Sequence, residues 1–272
     1  ISIWELEDVG DNWTRADVAG IAPIVAVPTT AGTGSEVGRA SVILDEAERV
    51  KKIIFHPKMV PAIVILDPMV TTGLPPMLTA ATGMDALSHS LEAWCSPAYH
   101  PMAEGIAVEG MRLVREYLPA AVASGSDVEA RTQMLVASMM GATAFQRGLG
   151  AMHALAHPLG ALYNAHHGTL NAVLMPYVLI ANRQAIEPRI IRLAKSIDIP
   201  NASFDSFLDW VLELRETVSI PQNLEDLGLD DSQADLLGKM ADGDPSSGTN
   251  PILFDASQYQ SVFMNALNGN LS

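Results

Sequence analysis

The residue pattern of this chain changes abruptly after Asp67 and Pro68. Upstream of this point, runs rich in β-branched residues alternate with turn residues, which predicts strands at residues 24–27, 41–44, 52–55 and 62–66. Downstream, Ala, Leu, Met and Glu dominate, and apolar residues recur every three or four positions, as in helices. The sequence therefore predicts an α/β segment at residues 1–70 and an all-helical domain at residues 71–272.

The helical part has enough apolar material for a core of its own, because 49% of the 272 residues are hydrophobic. Residues 242–250, rich in Asp, Gly, Ser and Pro, are expected to form a surface loop. Trp94 and Cys95 are expected in the core, whereas His56 and His100 are expected to be solvated. Helices are predicted near residues 76–96, 101–117, 127–146, 150–163, 168–184, 187–196, 204–218, 231–241 and 256–267.

Charge and cysteine content exclude several classes of function. The net charge of -15 disfavours binding to nucleic acid and to anionic lipid. The longest apolar runs fall far short of the roughly 18 residues that a membrane span needs. One cysteine, Cys95, forms no intrachain disulfide, which fits a cytoplasmic protein. The charged fraction of 17% is below the roughly 25% of typical domains and favours a homodimer or larger homo-oligomer.

Two groups of polar residues in the helical part point to a metal site. Four of the seven histidines fall between residues 153 and 167, and Asp85 and His89 share a helix face at i and i+4. Taken alone, such a pair is more often a hydrogen-bonded helix surface. An unpaired carboxylate or imidazole in an Ala, Leu and Met-rich helix is costly, however, and a shared cation would satisfy several of them together. A carboxylate with imidazoles suits Fe(II), Zn(II) or Ni(II) better than Mg(II) or Ca(II).

Four segments of the sequence, in register, resemble the iron-containing (group III) alcohol dehydrogenases. They read TTAGTGSEV at 29–37, GMDALSH at 83–89, HALAHPLG at 153–160 and HGTLNAVL at 167–174. The resemblance implies a dehydroquinate synthase-like architecture. In this architecture an α/β remnant of a dinucleotide-binding domain precedes an all-α domain, with the metal in the cleft between them.

The resemblance also implies which residues form the site. Metal ligands for Fe(II) or Zn(II) would be Asp85, His89, His153 and His167. The catalytic residue beside the nicotinamide and substrate would be His157. Contacts to NAD or NADP would come from Thr29, Thr30, Gly32, Thr33 and Lys51. Hydroxyls, small residues and a cation suit a phosphorylated ligand, which agrees with this last set.

The sequence also departs from the family in ways that affect the cofactor. We expect the family's glycine-rich pyrophosphate loop in about a hundred preceding residues that this chain lacks. Ala40 stands where relatives often carry Asn, and Ile252 where they commonly carry Arg. The implied activity is reversible oxidation of a small, primary alcohol to its carbonyl with NAD(P). The alternatives are a hydroxyacid-oxoacid transhydrogenase and a catalytically inert metal-binding or assembly module.

Overall fold

The computed structural model describes residues 1–48 and 50–271, without the side chain of Lys51, and confirms the four predicted strands. They are β1 (Val25–Ala26), β2 (Ala40–Asp45), β3 (Val50–Phe55) and β4 (Ile63–Val64). The first pairs with the last in parallel, with Val25 opposite Ile63, and the middle two form an antiparallel hairpin. The α/β segment therefore consists of two separate two-stranded sheets in the described residues.

Helices dominate the rest of the described chain, as predicted. They are α1 (Pro76–Cys95), α2 (Pro101–Ala123), α3 (Val128–Ala144), α4 (Ala151–Tyr163), α5 (His167–Ser196), α6 (Phe204–Thr217), α7 (Ala234–Asp242) and α8 (Ala256–Asn268). Helix α1 packs against α2, α3 and α5, and α4 packs against α5 and α7. Because α1 is surrounded, Met84, Leu87 and Leu91 are all completely buried. The polar residues of α1, apart from the half-buried Thr82, are consequently buried as well.

The two predicted helices at 168–184 and 187–196 are wrong as separate elements, because they form the single helix α5. The expected break lay at residues 185–186, just before Pro188, which lacks a backbone N–H and is tolerated best in the first turn of a helix. Ile186, Ile190 and Leu193 lie at i, i+4 and i+7, and all three are buried in the core. Packing of this face keeps the helix continuous at a position where local preference predicts an end.

Two expectations about exposed segments also need correction. Residues 242–250 form a surface loop only in part: four of the nine residues are exposed, but Ser246, Ser247 and Asn250 are buried around a 3-10 turn at Pro245–Thr249. His56 is buried rather than solvated, and its Nδ1 accepts a hydrogen bond from the Lys58 N–H. In both places a polar side chain bonds to nearby backbone, which lowers the cost of burial. The second ring nitrogen of His56, Nε2, is nevertheless buried without a hydrogen-bond partner among the described residues. His100 is exposed, and Trp94 and Cys95 are buried, as expected.

The α/β segment leaves apolar side chains uncovered. Val25, Val27, Ile63 and Ile65 lie on β1 and β4 or at their ends, with exposed fractions between 44% and 57%. Of the Val and Ile residues in the described helices, Val128 alone is exposed. No helix among the described residues has both the length and the apolar character that are needed to span a bilayer.

Candidate functional site

Helix α1 presents three ionisable side chains on one face. Asp85, His89 and Glu92 follow one another at i, i+4 and i+7, and each is at most 5% exposed. Burial of a carboxylate or imidazole without a partner costs several kcal/mol. The three side chains therefore require partners from the neighbouring helices. Helices α4 and α5 supply them to Glu92 and Asp85, whereas His89 Nδ1 is buried without a hydrogen-bond partner among the described residues.

A close approach of two helices brings the start of α5 to Asp85. A Cβ added at Gly168 would lie 2.4 Å from the Ala81 carbonyl oxygen and 3.3 Å from the Asp85 Cβ. Glycine at this position therefore lets the two backbones touch. The neighbouring His167 then places its Nε2 3.7 Å from Asp85 Oδ1, and the Asn171 Nδ2 donates to the same oxygen at 2.8 Å.

Side chains from other elements hold the start of α4. Its N-cap residue, Gly150, has no side chain to offer, so the first N–H groups need distant partners. The Ala151 N–H donates to Asn250 Oδ1 at 3.1 Å, and the Met152 N–H donates to Glu92 Oε1 at 2.7 Å. These bonds fix the position of His153 one residue later.

The predicted metal ligands converge in the structure. Asp85, His89 and His153 offer ligand atoms that all lie within 4.8 Å of one another, and all three residues are buried. The Nε2 atoms of His89 and His153 lie 4.0 and 3.9 Å from Asp85 Oδ1. The rings of His89 and His153 stack with centroids 4.8 Å apart, and the His167 ring lies 5.2 Å from that of His153.

The cluster has more lone pairs than hydrogens, and this surplus is what a cation would satisfy. Asn171 Nδ2 carries two hydrogens, yet three atoms that can accept them lie within 3.2 Å: Asp85 Oδ1, His153 Nε2 and His167 Nε2. Burial lowers the pKa of both imidazoles below its usual value of 6.5, so each ring is neutral at neutral pH and keeps a lone pair on one of its nitrogens. The donor set of carboxylate oxygen and imidazole nitrogen therefore fits a divalent transition metal.

Charge in the cluster is balanced in favour of an ionised Asp85. Burial acts to raise the pKa of this carboxyl group, but His89, His167, His153 and the Asn171 amide outweigh it and hold the pKa below its usual range. Burial also raises the pKa of Glu92 to about 7, against the backbone N–H groups that favour its carboxylate. The two carboxyl groups of α1 thus differ in environment although one helical face carries both.

His157 lies next to the cluster but has a different partner. Its Nδ1 is 2.8 Å from Asp244 Oδ2, and its ring stacks on that of His167 with centroids 5.4 Å apart. A cleft of about 390 Å³ opens beside it. Val42, Val50 and Ile53 of the hairpin line one side of the cleft, and α4, α7 and the 3-10 turn line the other.

The predicted cofactor loop packs onto α1, which carries Asp85 and His89, and onto α3. A Cβ at Gly32 would lie 2.8 Å from the Thr82 Cβ, one helical turn before Asp85. Gly34, with φ of +63°, similarly touches α3 at Ser138 and Ala142. Thr29 and Thr33 are exposed and Thr30 is half-buried. Lys51 lies in β3, but its side chain is outside the described part of the structure.

Three polar residues of the site had not been singled out in the sequence. Glu92 could have been found, since it shares a helix face with Asp85 and His89. Asn171 lies one turn after His167 on the same face. Asp244 lies 87 residues from His157, so no local pattern connects them. The remaining histidines are accounted for as helix caps, since His56, His100 and His166 each accept a hydrogen bond from a backbone N–H.

Comparison with known proteins identifies the family. The sequence model for the C-terminal part of the Fe-containing alcohol dehydrogenase family matches residues 79–267, and that for iron-containing alcohol dehydrogenase matches residues 2–68. A 4-hydroxybutyrate dehydrogenase from Cupriavidus necator is 40% identical over 88% of this chain, which spans 64% of that relative's length.

Solved structures agree with the sequence comparison. A 1,3-propanediol oxidoreductase is 37% identical, with a TM-score of 0.86 over 90% of this chain and 66% of its own. A sulfoacetaldehyde reductase from Bifidobacterium kashiwanohense, solved in complex with NAD+, is 30% identical, with a TM-score of 0.83 over 92% of this chain and 67% of its own. The chain belongs to the iron-containing alcohol dehydrogenase family.

Proposed function

We propose that the protein interconverts a small alcohol and its aldehyde or ketone by hydride exchange with NAD(P), at a metal held by Asp85, His89, His153 and His167. The observation that carries this proposal is the surplus of lone pairs where these four side chains converge. When bound, the cation supplies Lewis-acid polarisation of a substrate oxygen and the nicotinamide exchanges the hydride. Fe(II) and Zn(II) both suit the donor set.

In this proposal His157 moves the proton. Burial acts to raise the pKa of Asp244, but hydrogen bonds from His157 and Ser246 outweigh it and hold the pKa below its usual range. The ionised carboxylate accepts the Nδ1 hydrogen of His157, which leaves Nε2 to take a proton from the substrate side. The adjoining cleft, apolar along the hairpin, would admit a small substrate or the nicotinamide.

The proposal extends to the organisation of the whole protein. Residues 1–70 would be the C-terminal part of a dinucleotide-binding domain and residues 71–272 the metal-binding catalytic domain. The relatives 4-hydroxybutyrate dehydrogenase, 1,3-propanediol oxidoreductase and sulfoacetaldehyde reductase suggest substrates with a terminal hydroxyl or aldehyde. We further propose a cytoplasmic homo-oligomer.

The test combines metal analysis with turnover. The purified chain is loaded with Fe(II) under anaerobic conditions or with Zn(II), and elemental analysis should find one ion per chain. Oxidation of 4-hydroxybutyrate, 1,3-propanediol and ethanol is then followed by nicotinamide absorbance at high NAD+ or NADP+. A chain that retains no metal after loading contradicts the proposal. A metal-loaded chain without turnover would favour the inert module, and hydride exchange between two acids without added nicotinamide would favour the transhydrogenase.

The separate roles of two histidines give a sharper prediction. His157→Ala should keep the metal and lose turnover, because this imidazole bonds to Asp244 and is not among the predicted ligands. His153→Ala should lose the metal itself, by about 10- to 100-fold in affinity or more. Equal loss of metal by both variants, measured by elemental analysis after dialysis, would contradict the assignment of His157.

A further inference from the structure

A second carboxylate contacts the predicted metal centre without being one of its predicted ligands. Glu92 Oε2 lies 2.6 Å from His153 Nδ1, and both side chains are almost completely buried. The other oxygen, Oε1, accepts the Met152 N–H at 2.7 Å, and the Gly150 N–H also favours the carboxylate. Glu92 therefore connects α1 to the start of α4 immediately before His153.

The hydrogen-bond partners of His153 fix which ring nitrogen carries the proton. Asp85 Oδ1 accepts a hydrogen from Asn171 Nδ2 at 2.8 Å, which sets the orientation of that amide. The same NH2 group lies 3.2 Å from His153 Nε2, and since it is purely a donor, a hydrogen on Nε2 would oppose it, which favours a lone pair there. The hydrogen of His153 is therefore on Nδ1, where Glu92 Oε2 accepts it.

We infer that Glu92 is a positioning residue, which holds His153 in the tautomer whose Nε2 lone pair is directed at the Asp85 cluster. This inference rests on the metal centre of the proposed function. A carboxylate bonded to the second nitrogen of a ligating imidazole fixes the ring and makes it a better ligand. Here the same carboxylate also satisfies the first N–H groups of α4, so ligand orientation and helix position depend on one side chain.

Glu92→Gln separates these two roles. The Gln carbonyl oxygen would keep accepting the Met152 N–H, because an NH2 group placed there would face another donor. The amide nitrogen would then face His153 Nδ1, which must become an acceptor. The proton of His153 would move to Nε2, where it opposes a cation. The helix cap is thus retained while the lone pair directed at the cluster is lost.

Asp244→Asn is the matched control. It makes the same carboxyl-to-amide replacement in the same kind of carboxyl–imidazole pair, but beside His157, which is not among the predicted ligands. Metal affinity is measured by competition with a chromophoric chelator, using Zn(II) and Co(II). We expect Glu92→Gln to weaken affinity by about 10- to 100-fold and Asp244→Asn by less than about threefold.

The tautomer itself is measured without any metal. Proton-detected NMR of the 15N-histidine-labelled apoprotein distinguishes a protonated Nδ1 from a protonated Nε2, and His153→Gln identifies the signal. We expect a protonated Nδ1 in the wild type and a protonated Nε2 in Glu92→Gln. If the wild type carries the proton on Nε2, the inference is overturned even where Glu92→Gln does not fold.

The remaining outcomes are equally decisive. A folded Glu92→Gln variant that retains both the wild-type tautomer and wild-type affinity overturns the inference, as does an equal loss of affinity in Asp244→Asn. A wild-type chain that binds neither Zn(II) nor Co(II) contradicts the proposed function, whereas the NMR measurement still decides the role of Glu92. The two hypotheses therefore fail in different measurements.

Discussion

Asn171 lies among more acceptors than it has hydrogens, and its own Oδ1 is buried without a hydrogen-bond partner among the described residues. A buried amide carbonyl without a partner costs about 1–3 kcal/mol. The amide NH2 group of Asn171 thus donates hydrogens to the cluster, while the amide oxygen of the same side chain stays without a hydrogen bond. This arrangement predicts that the residue at position 171 sets the balance between stability of the apoprotein and affinity for metal.

Asn171→Asp tests that balance. A second carboxylate would replace a donor 2.8 Å from Asp85 Oδ1, so we expect the apoprotein to lose about 3–5 kcal/mol of unfolding free energy. A divalent cation would relieve this repulsion. Thermal unfolding with and without Zn(II) should therefore show a larger stabilisation by metal in the variant than in the wild type. An apoprotein as stable as the wild type would contradict this account of the cluster.

The residues of the site differ in how far sequence could predict them. Asp85, His89 and His153 are found together because helical spacing and the cost of burying charge both apply within short segments. Asp244 was missed because its contact with His157 depends on how the 3-10 turn packs against α4, and no periodicity encodes such a contact. The ligand roles of all four predicted residues, and the cofactor contacts of Thr29, Thr30, Gly32, Thr33 and Lys51, stay predictions.

At the scale of elements, the contact between α1 and α5 depends on the absence of a side chain at Gly168. In Gly168→Ala the new Cβ would lie 2.4 Å from the Ala81 carbonyl oxygen, so the helices must separate. We expect a loss of about 1–3 kcal/mol in urea unfolding and a weaker metal site, because His167 moves with α5. Gly105→Ala in α2 is the control. Its Cβ would meet no described atom within 4 Å, and it should be neutral or stabilising.

The link between α4 and the 3-10 turn should depend on pH through Asp244. Its pKa in the folded state is below the ordinary value of 3.8, so its hydrogen bonds contribute fully above that value and are lost as pH falls through the folded pKa. We expect Asp244→Asn to be less stable than the wild type by about 1–3 kcal/mol at pH 7. Urea unfolding at decreasing pH should show this difference shrinking below about pH 4. A difference that stays constant down to pH 2 would contradict the role of the carboxylate.

Sequence periodicity predicted the elements better than their ends and connections. Helices α1, α4 and α8 lie close to their predicted bounds. The continuity of α5 through Pro188 was not predictable, since it depends on Ile186, Ile190 and Leu193 fitting the core. The burial of Asn250 similarly depends on partners that lie far away in sequence, among them Asn182, which pairs with it.

The two parts of the whole molecule differ in how well they cover their apolar surface. The helices bury most of theirs around α1, whereas β1 and β4 expose Val25, Val27, Ile63 and Ile65. A short parallel pair of strands with one apolar face open is a poor independent unit. We therefore expect the helices to supply most of the stability of this chain. The division of the chain near residue 70 is a proposal that limited proteolysis would test.

The same contrast predicts that the chain binds a metal ion but binds a dinucleotide only weakly. Tight dinucleotide binding uses a glycine-rich turn that opens a helix, whose N-terminus receives the pyrophosphate. After β1, the described chain instead enters a loop and a 3-10 turn of three residues, Ser35–Val37, which is too short to supply such a terminus. Hydrogen bonds from Thr29 and Thr30, worth about 1 kcal/mol each, do not replace that contribution.

We expect the metal-loaded chain to bind NAD+ and NADP+ at least about 100-fold more weakly than the sulfoacetaldehyde reductase solved with NAD+, a difference of about 2.7 kcal/mol. Calorimetric titration of both proteins decides this. Comparable affinities would show that the loop at residues 29–34 and the hairpin suffice for the cofactor, and that the pyrophosphate needs no helix N-terminus in this protein.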